Sequence, residues 1–370
     1  MRARVLLPVI AVLALSYGTI LAWGYTKSRA RELVANVIDE IKIAAQPRFE
    51  VARGTKTIEP AADERLTIEN PAGHVEVLPG GPDISAEYVI YARGEDKAEA
   101  SRRAAGIEVR TGRDPAVGNK IWVDVPEGKR TSGVSIDFVV TVPPKTALRV
   151  DVASADVRAK GIEGGITVHS ASGDISVAGS PAPVNISTAS GDIWVTGAHA
   201  QVDVRASSGD VFFNDVTGSV AARTASGDIH IQDSRSGHLT AAAASGDIDL
   251  RGSSGHELTV TTASGDIDIR DVGAEELTAA AASGDITVWL ATPFSATMEA
   301  RSKSGDVTVA LPSGSDCRVR ATTASGNISS RLNLSDCSLQ KRSISGRLGA
   351  GRGSVEVSTA SGDIELLPAH

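Results

Sequence analysis

Ser-Gly-Asp occurs nine times in this chain, with its glycine at 173, 191, 209, 227, 246, 265, 284, 305 and 362. A carboxylate that returns at a fixed spacing can do one of two things. It can ligate metal, or it can accept hydrogen bonds within a turn. Gly326 (Ser-Gly-Asn) and Gly346 (Ser-Gly-Arg) extend the series, and Ser154-Ala155-Asp156 reads as a decayed first copy. Counted from Ala155, the spacings are 18, 18, 18, 18, 19, 19, 19, 21, 21, 20 and 16. If the copies stack as strands do, Asp156, Asp174, Asp192, Asp210, Asp228, Asp247, Asp266, Asp285 and Asp306 form a column. Neighbouring carboxylates would then lie about 4.8 Å apart and repel by about 1 kcal/mol in water. Backbone amides or the Ser hydroxyls must offset this, or divalent cations must. The amide reading is preferred, because the chain lacks the Gly-Gly-x-Gly-x-Asp repeat of calcium solenoids. One Asp per turn also supplies few oxygens for Ca2+. No cofactor is therefore expected, and Ca2+ on the Asp ladder is the secondary reading.

A second row is more selective. The position three after the repeat glycine reads Ser176, Trp194, Phe212, His230, Asp249, Asp268, Thr287. Aromatics make up only 4% of the chain, so three rings on consecutive copies stand out. An exposed stripe of this kind marks a binding surface, here for a sugar ring or a partner protein. The alternative is that the rings pack on one another as cross-strand pairs, or lie under the loops. Trp194, Phe212, His230, Asp249 and Asp268 are the candidate contact residues. Catalysis is not expected. The seven histidines are scattered without metal-ligand spacing, and no Gly-x-Ser-x-Gly occurs. Asp249 and Asp268 with Glu257 are the one carboxylate set that a polysaccharide-active enzyme could use.

The elements that position these rows follow from the alternation around each glycine. The residue seven before it is apolar in every copy from Ile166 to Val355, including Leu339, and five before it is Val, Ile or Ala except at Lys341. Two after it stands Ile, Val or Leu throughout. Four after it is apolar from Val177 to Val309, with Ser330 and Ala350 as exceptions. Period-2 alternation on both sides means two strands per turn, each with one face inward. The fold class is all-β: a parallel β-helix or solenoid of about 12 turns, with 16–21 residues in each. The Ser-Gly-Asp corner admits no insertion. All length variation falls at the opposite corner, for example Gly179 to Pro183.

Upstream of the repeat, Val5 to Trp23 is an uncharged, mostly apolar run of bilayer-spanning length, preceded by Arg2 and Arg4. It reads as a signal anchor over 1–25. A cleaved signal peptide ending near Ser16-Tyr17-Gly18 is the other reading. Ala30, Leu33, Val34, Val37, Ile38, Ile41 and Ala45 recur at helical spacing and predict a helix over 27–46, ended by Pro47. It forms a stalk and linker over 26–54. Residues 55–147 carry several alternating segments and a short helix over 96–105, and read as an N-terminal cap. The solenoid occupies 148–370. The net charge of −8 leaves no basic stripe for nucleic acid. The expected partners are the membrane, through the N-terminal helix, and an envelope protein or glycan. The placement is a single-pass membrane protein with its solenoid outside the cytoplasm. Self-association through the last turn, Ser361 to Leu367, is the alternative.

Cys317 and Cys337 each lie nine residues before a repeat glycine, inside Ser-Asp-Cys. On neighbouring turns they would come within disulfide range, so a bridge and a pair of free thiols both stay open.

Val142-Pro143-Pro144, the strand Val152-Ala-Ser-Ala-Asp-Val157 and the Ser-Gly-Asp-Ile array resemble the bacterial putative-adhesin domain family, over about 60–367. That resemblance implies a β-solenoid at the bacterial cell envelope. It brings no catalytic residues, and Asn327, Arg347, Ser330 and Lys341 depart from its pattern.

Overall fold

The computed structural model describes residues 39–59, 65–114 and 118–369. The expected anchor over 1–25 lies outside them, as does most of the helix expected over 27–46. Residues 39–44 are helical. Among the described residues no helix is long and apolar enough to cross a membrane.

Two compact units result. One holds the chain up to Gly54, Tyr88–Glu108 and Asp124–Asp137. The linker expected up to 54 is strand from Arg48, part of Arg48–Ile58. The short helix forms at Lys97–Ala104. The Asp96 carboxylate accepts the Glu99 amide at 2.7 Å, and the Glu99 carboxylate accepts the Glu95 amide at 2.6 Å. The first of these bonds caps an amide that a first helical turn leaves free, and the second fixes the chain entering the helix. Ala100 and Ala104 are its buried residues.

The other unit holds Thr55–Glu87, Val109–Val123 and Phe138–His370. It is a parallel stack of two-strand turns. Val184 lies beside Ile166 and Val202, and Ile193 beside Ile175 and Val211. Each turn repeats the next in this register. The inward residues are closed off from water: Ile175, Ile193, Val202, Val211 and Ile229 are all 0% exposed. Burying such a side chain contributes about 1.5–3 kcal/mol, and the thin core is mostly Val, Ile and Ala, with Phe213 as a buried ring within the repeat.

The stack begins earlier than position 148. Strand Arg65–Pro79 pairs in parallel with Ala147–Lys160, placing Gly73 beside Ala155 and His74 beside Asp156. Leu66, Ile68, Val75 and Val77 are buried. They occupy the same offsets from Gly73 that the repeat uses, so part of the segment read as cap is a turn of the solenoid. Gly118–Asp124 then runs parallel along the other edge of this turn, from Leu66↔Asn119 to Glu69↔Trp122. That pairing covers the exposed edge.

The far end departs from chain order. Strand Thr297–Ser304 pairs with Gly353–Ser361, which pairs in turn with Cys317–Ser325. Val307–Pro312 pairs with Ile364–Ala369, which pairs with Ile328–Ser330. The last turn in the chain is therefore intercalated between two earlier ones. Asp316 ties this crossing down. Its Oδ1 accepts the amides of Gly351 at 2.6 Å and Arg352 at 3.1 Å, and the Arg352 guanidinium pairs with Oδ2. That guanidinium, followed by the backbone amides, holds the Asp316 carboxyl below the usual carboxylate range.

Ser-Gly-Arg at 345–347 is not a corner. Strand Ser343–Leu348 runs straight through Gly346 and pairs antiparallel with Cys317–Ser325 on one side and Ser335–Gln340 on the other. Leu339, expected inward, is 73% exposed. Ser361 to Leu367, the segment expected to self-associate, lies in the intercalated turn, with Ile364 and Leu366 buried and strands paired on both sides. The terminal strand Ser335–Gln340 carries a register shift and Asp336 at φ 49. Such irregularities blunt an edge against further pairing.

The cysteines are likewise not on neighbouring turns. Strand Ser343–Leu348 separates them, so their strands are about 9.6 Å apart, beyond disulfide reach. Both are free, with Cys317 buried and Cys337 exposed. Burial, then the Asp316 charge, pushes the Cys317 thiol up to about 11. Thiolate is the reactive form. A water-soluble maleimide should therefore modify Cys337 in the native chain and Cys317 only after unfolding. Mass spectrometry showing a native Cys317 adduct, or an intact bridge, would contradict this arrangement.

Candidate functional site

The Ser-Gly-Asp corner is built by close approach. Its glycines have φ from 112 at Gly173 to 158 at Gly326. A Cβ on any of them would lie within 1.9–2.3 Å of the carbonyl oxygen of the preceding turn. The Asp of each turn then meets the next. Asp174 to Asp306 each donate a backbone N–H to Oδ1 of the Asp before, at 2.7–3.1 Å. The column continues through the intercalated turn: the Asp363 amide donates to Asp306, and the Asn327 amide to Asp363. Asn327 is the last member. A charged carboxylate there would have no following amide to accept, and Asn carries no charge to repel Asp363. Charge-assisted amide bonds of this kind offset the repulsion along the column. Among the described residues no group of three or more His, Cys, Asp or Glu could hold a metal ion.

The outward row is in register from turn to turn: Ser176, Trp194, Phe212, His230, Asp249, Asp268, Thr287. It splits into two parts. Trp194 and Phe212 stack with centroids 5.6 Å apart and planes 5° apart. Phe212 and His230 stack at 4.9 Å and 13°. The rings thus turn their faces to one another and their edges to solvent. They do not offer the flat row on which several sugars would lie. The second part is ionic. Asp249 Oδ2 lies 3.9 Å from His230 Nδ1, and Asp249 Oδ1 lies 2.7 Å from Arg251 Nε. Asp268 is 2.9 Å from Arg270 Nε and 3.6 Å from Arg251 Nη2. The hydrogen bond that Arg270 donates to Asp268 raises the Arg270 pKa further.

These arginines were not singled out in the sequence. Their signal was an Arg two residues after each Asp, which puts both on one face of a strand. Glu257, the third carboxylate of the enzyme reading, stands in another column. Its Oε2 meets His238 Nδ1 at 3.2 Å, and it lies in register with Glu276. Two carboxylates neutralised by arginines on a strand face and a third elsewhere do not form the paired acid and base that glycoside cleavage uses.

Fold and site together define a class: a parallel β-solenoid with a tight structural corner and an outward strand face that carries the ring column and the Asp–Arg pairs. The chain belongs to the Toastrack DUF4097 family, whose model matches residues 118–251 and 196–367. Two solved structures are similar to it. One is a putative cell adhesion protein from Clostridium sporogenes, 9% identical, with a TM-score of 0.23, covering 86% of this chain and 99% of its own. The other is a putative adhesin from Bacteroides fragilis, 11% identical, with a TM-score of 0.28, covering 85% of this chain and 97% of its own. No curated protein matches the chain.

Proposed function

We propose that this chain is a non-enzymatic binding or scaffold module of the cell envelope, adhesive in action, held to a membrane by its N-terminal segment. The observation that carries the reading is the column Trp194, Phe212, His230. It is half-exposed and stacked in a chain with few rings. Nothing in the turn geometry requires rings there, since Ser176 and Thr287 fill the same position on other turns. Ring clusters left in solvent are characteristic of contact surfaces. The apolar run Val5 to Trp23 supports the membrane attachment and the extracytoplasmic placement.

Replacing Trp194 and Phe212 together by Ala should abolish capture of envelope components. The stacking lost is worth about 0.5–1.5 kcal/mol per pair beyond area burial, so the unfolding midpoint should fall by only a few degrees. Pull-down from envelope extract and calorimetry of the two proteins check this. Undiminished capture would remove the column as the contact surface. Turnover of any polysaccharide that is lost in Asp249→Asn or Asp268→Asn would overturn the non-enzymatic reading. Membrane attachment predicts that the full chain sediments with membranes and leaves them in detergent, not in salt.

A further inference from the structure

The ring column has one open end. The Trp194 face that is not against Phe212 looks along the stack toward the preceding turn, where the residue in register is Ser176. One turn further on, the same position is Arg158. The neighbouring outward column repeats the pattern: Lys160, Ala178, Thr196. One turn is thus small at both outward positions. It lies between a turn with two cations and a turn with an indole. Strand spacing separates the Arg158 and Trp194 backbones by about 9.6 Å, and carbon atoms touch at about 3.5–4.0 Å. One saturated or flat ring, inserted edge-on above Ser176, fills that interval.

The charges make the notch selective. Arg149, Arg205, Arg251, Arg270 and Arg301 each pair with an acid two residues away on their own strand. Arg158 has Lys160 on one side at that offset and Asp156 on the other. The Asp156 Oδ1 already accepts the Asp174 amide. Glu76 is in register with Arg158, but no ion pair joins them. Arg158 and Lys160 are both exposed, and neither makes an ion pair or side-chain hydrogen bond among the described residues. Two like charges at adjacent outward positions repel, and an anion between them removes that cost.

We propose that this notch takes one ring of an acidic glycan, a uronate or similar carboxylated pyranose. Its C–H face lies on Trp194 and its carboxylate lies between Arg158 and Lys160. The inference rests on the ring column being the contact surface, and it names the ligand class that the open end recognises. The probe is oligogalacturonate, titrated calorimetrically into the full chain, with maltohexaose as the neutral control. Saturable binding of oligogalacturonate alone is expected. It should weaken at least tenfold in Arg158→Gln with Lys160→Gln, and weaken as salt rises. Ser176→Trp, which extends the ring column over the notch, should abolish it while the fold stays intact. Equal affinity for the neutral oligosaccharide, no saturable binding, or binding unmoved by these variants overturns the inference. If envelope capture is lost in the Trp194 and Phe212 variant but untouched by the Arg158 and Lys160 variant, the column stands and this ligand class does not.

Discussion

Gly246→Ala is expected to destabilise the solenoid by about 3 kcal/mol or more. Two independent costs add. At φ 145, Gly246 occupies backbone space that side chains rarely enter, worth about 1–3 kcal/mol. The added Cβ would also stand 2.0 Å from the Gly227 carbonyl oxygen. Backbone, unlike a flexible side chain, cannot swing away, so the turn must open, and overpacking of this kind adds about 1–3 kcal/mol. Opening the turn also lengthens the amide bonds that Asp247 makes and receives, at 2.8 Å to Asp228 and 2.7 Å from Asp266. Asp247→Asn is the informative contrast. It keeps an acceptor oxygen for the Asp266 amide and removes charge from a column of charges, so its cost should stay within about 0.5–1.5 kcal/mol. Urea unfolding of both variants measures the difference. Because each turn contacts only its neighbours, hydrogen exchange in Gly246→Ala should rise most at Ile229–Gln232 and Ile267–Arg270. An Ala variant as stable as the parent would show that the corner does not depend on close approach.

Removal of residues 353–370 should cost more than trimming the end of a stack. Val355, Val357, Ile364 and Leu366 are at most 1% exposed. At about 1.5–3 kcal/mol each, their burial amounts to about 6–12 kcal/mol as an upper bound. The position of the loss matters as much as its size. Thr297–Ser304 and Cys317–Ser325 would both lose the strand between them. Cys317–Ser325 would keep only its antiparallel partner, Ser343–Leu348. Limited proteolysis should then cut between residues 313 and 352, while the turns up to Val307–Pro312 stay protected. Stacking in chain order predicts the opposite, since the truncation would remove an outermost turn and leave 313–352 intact. Protease mapping of the truncated chain separates the two.

Much of this molecule could be read from its residues. Alternation about each glycine places Ile193 and Val195 inward and Trp194 outward without any knowledge of the fold, because a strand has only two faces. Equal spacing places Trp194, Phe212 and His230 in one column, because insertions at the other corner leave the register of the tight corner unchanged. What the rings do in that column was not legible. Whether neighbouring rings lie flat to solvent or face one another is a rotamer choice, and packing against the next turn makes it. The ion pairs of Asp249 with Arg251, and of Asp268 with Arg270, were present as an i,i+2 pattern, but opposite charges matter only once both are known to share an outward face.

The tight corner itself changed least between sequence and structure. From Ser-Gly-Asp follow a parallel solenoid, a glycine wherever the corner takes a positive φ against the carbonyl of the neighbouring turn, and a column of acids that must be neutralised. These are local consequences of backbone sterics and of charge at a fixed spacing. Which turn stacks on which is set by long-range packing. The regular copies share one inward pattern, so their turns can pack on one another in more than one order, and sequence proximity then selects the order only where the connection is short. At Gly73 the neighbouring turn comes 82 residues later (155 − 73). At the far end the last turn enters between two earlier ones, and a hairpin through Gly346 takes the outer edge. Asn327 was the single letter that marked the end of the column, and its meaning depended on knowing that no amide follows it.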